Sequence, residues 1–62
     1  MSDKEVFDFF RHYGIILKRD DYTFDDVFVS LFVIEVDNIK RLFILKNGEV
    51  ILNEILQSLW SI

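Results

Sequence analysis

Apolar residues recur at three- and four-residue spacing near the N-terminus, so that Val6, Phe9, Phe10 and Tyr13 fall on one side of an α-helix. Ser2 followed by Glu5 fits a capping box at its start. Gly14 is expected to close the helix as a left-handed residue. Phe7 lies off the stripe and widens the apolar surface. Ile15, Ile16 and Leu17 then read as a brief strand, ended by the charged run Lys18-Arg19-Asp20-Asp21.

From Val27 to Val36 the chain is rich in β-branched and aromatic residues, which predicts a strand. A helix capped by Thr23 is the alternative, because Phe24, Val27, Phe28, Leu31 and Phe32 also match the helical period. The residues beyond Val36 favour the strand. A two-residue turn at Asp37-Asn38 sets Glu35 opposite Lys40, Val33 opposite Leu42 and Leu31 opposite Ile44, with Phe32 facing Phe43 on the other side. Asn47-Gly48 is a second turn signal, since a type I′ turn needs positive φ at both central residues; it sets Val50 opposite Leu45 and Ile51 opposite Ile44. Asn53 reads as the cap of a final helix with Ile55, Leu56, Leu59, Trp60 and Ile62 on its apolar side and Glu54, Gln57, Ser58 and Ser61 opposite. The expected fold is α+β in one domain, residues 1–62. A small antiparallel sheet, a three-stranded meander plus a short extra strand, is flanked by an N-terminal and a C-terminal helix.

Both faces of the central hairpin are apolar in this reading. Val29, Leu31, Val33, Leu42 and Ile44 line one, and Phe28, Phe32, Ile34, Ile39, Phe43 and Leu45 line the other. An antiparallel sheet normally keeps one face wet, so the second face calls for the C-terminal helix, a partner or a second copy. Composition presses the point: 52% of the residues are hydrophobic, with seven Phe, two Tyr and one Trp among 62. A chain this short buries only about 60% of the surface it exposes when unfolded. Homo-oligomerisation is therefore expected.

Charge and chemistry narrow the function classes. Without cysteine there are no disulfides or thiolate metal sites, and one histidine leaves zinc short of ligands, so no metal or cofactor is expected. The longest uncharged apolar-rich stretch, Val27 to Ile34, falls far short of the roughly 20 residues that span a bilayer. The mixed charges of the first five residues do not resemble a secretion signal, and a cytoplasmic location is expected. His12 and Arg11 suit the negative end of a helix dipole and need no chemistry to explain them. No nucleophile or paired acid stands at a recognisable offset, and Gly14 and Gly48 are isolated, so no enzyme is expected. Lys40, Arg41 and Lys46 make one hairpin basic, which reads as protection of a sheet edge. Nucleic-acid binding would require the fold to gather Lys4, Arg11, Lys18, Arg19, Lys40, Arg41 and Lys46 on one side, against a net charge of −4.

The most distinctive window is Asp20-Asp21-Tyr22-Thr23-Phe24-Asp25-Asp26. One reading is a solvated loop whose aromatics anchor it to the core. The sharper one makes Asp20, Asp21, Tyr22, Phe24, Asp25 and Asp26 a recognition surface for a larger protein with a basic surface, charges guiding encounter and Tyr22 serving as anchor. A calcium loop would need alternate spacing and a central glycine that the run lacks. In acidity and in its helix, meander, helix layout the chain resembles small inhibitors encoded by bacteriophages and mobile elements, including some anti-CRISPR proteins that occupy nucleic-acid-binding grooves. That resemblance implies aspartates standing in for phosphates against Arg and Lys side chains. The expected function is thus a non-enzymatic interaction domain that occupies a basic surface of a larger protein. A homo-oligomeric assembly or antitoxin-like subunit is the alternative, and a nucleic-acid-binding module the third class.

Overall fold

A computed structural model describes residues 2–56, in which helix α1 (Asp3–Tyr13) is followed by strands β1 (Ile15–Phe24), β2 (Val27–Val36), β3 (Ile39–Lys46) and β4 (Glu49–Leu56). The strands pair antiparallel in chain order, β1-β2-β3-β4, and α1 packs on one face of the sheet. The α+β class holds: the meander and the extra strand form one four-stranded sheet, and the described residues contain one helix rather than two.

The start of α1 is capped as its sequence directs: the Ser2 hydroxyl oxygen accepts from the Glu5 backbone N–H at 3.2 Å. Its buried side differs from the expected stripe. Phe7 and Phe10 are buried, with Val6 packed beside them, while Phe9 and Tyr13 are exposed. The sheet explains the rotation. Phe32 and Phe43 stand opposite each other on β2 and β3, and Phe7 meets both rings edge-on at 5.3 and 5.1 Å while Phe10 meets Phe43 at 5.7 Å. Edge-to-face pairs of this kind satisfy the ring quadrupoles, so the helix turns Phe7 inward.

Gly14 ends the helix for a reason other than handedness. Its φ of −100° is extended, not left-handed. A Cβ at this position would lie 2.5 Å from the Phe10 carbonyl oxygen and 2.7 Å from both the Glu35 carbonyl oxygen and Ile34 Cγ2. Only a residue without a side chain lets the chain turn from α1 into β1 so close to β2.

The central hairpin has the expected register, with Glu35 opposite Lys40, Val33 opposite Leu42, Phe32 opposite Phe43 and Leu31 opposite Ile44. Residues 24–36 form strand and turn, not a helix capped by Thr23. Each pair of successive strands is joined by two residues of positive φ, namely Asp25-Asp26, Asp37-Asn38 and Asn47-Gly48. The twist of such turns matches that of the strands they join. Asn47 adds a clamp: its side-chain oxygen accepts from the Phe28 backbone N–H at 3.0 Å, and its own N–H donates to the Phe28 carbonyl at 2.7 Å. Gly48 has φ of +84° with nothing near its missing Cβ, so a substitution there meets backbone strain alone. Gly48→Val is expected to destabilise by about 1–3 kcal/mol, read as a lower urea midpoint with unchanged slope.

Two expectations are corrected in the outer strands. The brief strand at 15–17 is a ten-residue strand that runs through the charged segment. Charges two apart share a side of an extended chain, and Lys18 pairs with Asp20 at 3.7 Å while Arg19 pairs with Asp21 at 3.3 Å. At the other edge, a bulge between the pairs Leu45–Val50 and Ile44–Leu52 leaves Ile51 unpaired, so Ile51 does not face Ile44. Asn53 caps no helix. It sits within β4 opposite Phe43, where its side-chain oxygen accepts from Arg41 Nη1 at 2.6 Å and its amide donates to Asp3 Oδ1 at 3.1 Å. The start of the expected C-terminal helix is therefore strand, and Gln57, Ser58, Leu59, Trp60, Ser61 and Ile62 lie outside the described residues. β3 is interior, so its basic residues protect no edge: Lys40 lies 3.8 Å from Glu35 and Arg41 stacks over Phe10.

Candidate interaction surface

Alternation along the strands divides the sheet into two faces. The face beneath α1 carries Ser30, Phe32, Ile34, Phe43 and Leu45, all buried, with Ile34 and Phe43 fully enclosed. Ser30 is satisfied by donating to Asp21 Oδ1 at 2.8 Å. The opposite face carries Val29, Leu31 and Val33 of β2, Leu42 and Ile44 of β3, and Leu52 of β4, which the pairing sets side by side. Among the described residues no helix covers it. Val33 at its centre is buried, and the others are half-buried.

The bulge at Ile51 builds part of this surface. Without the extra residue, Leu52 would fall opposite Phe43 under the helix; with it, Leu52 joins Ile44 on the open side. Sequence reasoning assigned five of the apolar positions here and missed Leu52, because Val50-Ile51-Leu52 gives no sign of which residue is the extra one.

The six residues singled out in the acidic window do not form one cluster. Asp20, Tyr22 and Phe24 share the open face, opposite Leu31, Val29 and Val27. Tyr22 is 57% exposed and Phe24 76%, so they anchor nothing to the core and instead prolong the apolar face toward the β1–β2 turn. Asp21 points to the helix side, committed to Arg19 and Ser30. Asp25 and Asp26 are the turn itself, at φ of 48° and 64°. The surface is thus an apolar sheet face running into an aromatic corner with a two-carboxylate tip, and the segment is strand rather than loop.

The rim of the face mixes both signs with an acidic excess. Lys18 and Asp20 lie along β1, Glu35 and Lys40 across the far end, Lys46 pairs in register with Glu49 beside Val29, and Glu54 stands opposite Leu42. The basic residues are not gathered. Lys18, Lys40 and Lys46 belong to the open face, while Lys4 and Arg11 are on α1, and Arg19 and Arg41 lie over Phe32 and Phe10 beneath it. No set of three or more His, Asp or Glu among the described residues is placed to hold a metal ion. No helix in them is long and apolar enough to cross a membrane. Compared with known proteins, the chain matches no family model, no curated protein and no solved structure.

Proposed function

We propose that this chain is a non-enzymatic, cytoplasmic protein-interaction domain that docks through its open sheet face. The observation that carries the reading is the apolar patch of Val29, Leu31, Val33, Leu42, Ile44 and Leu52, ringed by charges. An apolar centre inside a polar rim is the anatomy of a protein interface, whereas solitary exposed apolar residues are ordinary. Four strands about 4.8 Å apart and some 8 residues long at about 3.3 Å each give a face on the order of 500 Å², so two such surfaces meeting bury about the 1,000 Å² that marks the threshold of a specific interface.

The first partner in this reading is a larger protein with a basic surface. Asp25 and Asp26 support it, since both hold carboxylates in left-handed positions where Gly or Asn would sit with less strain. Phosphate mimicry in the manner of phage inhibitors narrows to these two residues, because Asp20 and Asp21 already have Lys18 and Arg19. The second reading, a homo-oligomer, is favoured by the apolar centre, which two copies would cover at once, with the ion pairs of Lys18 and Lys40 moderating repulsion between acidic rims.

Sedimentation from micromolar to millimolar concentration, repeated across salt, separates the two. A second copy gives a dimer that Ile44→Lys dissociates and salt barely affects. A basic partner gives a monomer whose association slows steeply with ionic strength and slows further in the Asp25→Asn, Asp26→Asn double variant, the fold being unchanged. Ile44→Lys is expected to weaken docking at least tenfold in either case, as loss of a central contact does. Full association by a folded Ile44→Lys variant would remove the sheet face from consideration.

A further inference from the structure

We propose that a cleft at the C-terminal end of α1 receives one arginine side chain of a partner protein. It is an open cleft of about 650 Å³ lined by Phe9, Tyr13, Ile15, Glu35, Val36, Asp37 and Asn38. It lies apart from the hydrophobic residues of the open sheet face, and the proposal stands whichever occupant that face takes.

The cleft exists because Phe7, not Phe9, turns into the core. Phe9 and Tyr13 are left on the surface with their rings 4.8 Å apart and tilted by 44°. Tyr13 is 66% exposed and does not belong to the core cluster. Ring faces are electron-rich and attract cations, and the end of a helix adds partial negative charge from its unpaired carbonyls. Asp37 supplies a full charge at the cleft wall, fixed in a turn at φ of 50°.

The charged neighbours leave that site unfilled. Lys40 is occupied by Glu35 at 3.8 Å, and Asp37 is in no ion pair among the described residues. Arg11 lies toward Phe32 at 5.7 Å, and His12 stands edge-on to Tyr13 at 4.5 Å. The chain's three arginines each lie over a phenylalanine ring: Arg11 and Arg19 over Phe32, Arg41 over Phe10. The Phe9–Tyr13 pair and Asp37 line one cleft and hold no such cation among the described residues. A guanidinium fits it better than an ammonium, because its plane can lie on a ring while its edge donates to a carboxylate, and it is the more weakly hydrated. An apolar occupant would strip water from Asp37 without replacing its hydrogen bonds.

The test is an NMR titration of the whole chain with N-acetyl-arginine amide and with its neutral citrulline analogue. Arginine amide is expected to give saturable shifts at Phe9, Tyr13, Ile15 and Asp37 with a dissociation constant in the millimolar range, as one exposed cation–π contact joined to one charged hydrogen bond allows. Citrulline amide should leave them unmoved, and Tyr13→Ala and Asp37→Asn should each weaken binding at least threefold. The β1–β2 turn is the built-in comparison, with two carboxylates and the exposed Tyr22 and Phe24 nearby but no ring-to-ring contact among the described residues there. Shifts of equal size at both turns, shifts that do not saturate, or equal response to citrulline would overturn the proposal. Ile44→Lys should bind arginine amide as tightly as the unmodified chain, so failure of the cleft and failure of the sheet-face reading are told apart.

Discussion

Phe43→Ala is expected to remove about half or more of the molecule's folding stability. Phe43 is fully enclosed at the centre of the sheet and holds the edges of both Phe7 and Phe10, so its loss opens a cavity where helix and sheet meet. Truncating a core Phe to Ala typically costs about 3–5 kcal/mol, against a total stability of about 3–9 kcal/mol for a chain of this length. Neighbours cannot close the gap cheaply, since the surrounding side chains are rings held by backbone on both layers. Far-ultraviolet circular dichroism at fixed concentration, followed through urea, gives the answer; a variant with a midpoint close to that of the unmodified chain would mean that α1 does not rest on Phe43.

Gly14→Ala is expected to be nearly as severe, although it adds one methyl group. Two of the three atoms that the methyl would overlap are backbone oxygens, of Phe10 and Glu35, which have no rotamer to escape into. The last turn of α1 must lift or β2 must bend. Overpacking of this kind costs about 1–3 kcal/mol and more where backbone must move, and each kcal/mol lowers the melting midpoint of a small domain by about 4–8 °C. A fall of at least about 10 °C is expected on this basis. Gly14→Ala melting within about 2 °C of the original would show that α1 and β2 do not approach as closely as described.

What was legible in the chain obeyed local rules that act alone. Ser2 and Glu5 mark the start of α1 because capping needs nothing beyond the turn it caps. The pairing of β2 with β3 could be read because a two-residue turn fixes every opposite pair, and Leu31 with Ile44 or Glu35 with Lys40 agree with it. Elsewhere tertiary demands decided. The rotation of α1 that buries Phe7 depends on rings in β2 and β3, which helical spacing alone does not contain. Lys18 to Asp21 looked like a strand end because charges seldom fill a strand, yet an edge strand tolerates them and gains protection from unwanted pairing. The residues from Asn53 onward satisfied a helix pattern equally well; pairing with β3 overrides it through residue 56. For the acidic window the residue types were noticed and their division between two faces was not, because that division depends on a strand assignment the charges had hidden.

The chain-order sheet also bears on how the molecule assembles. Every strand is joined to its sheet neighbour by a two-residue turn, so β1 to β4 can zip as successive hairpins, each on a timescale of about microseconds. The arrival of α1 is different in kind. The hydrogen bond from Asn53 to Asp3 joins residues 50 positions apart, and closing so long a loop is entropically slow compared with extending a hairpin. Until that closure a nascent sheet would present two oily sides of similar character. The landing of the helix on the phenylalanine side is therefore the symmetry-breaking event, and among the described residues it leaves the other side uncovered.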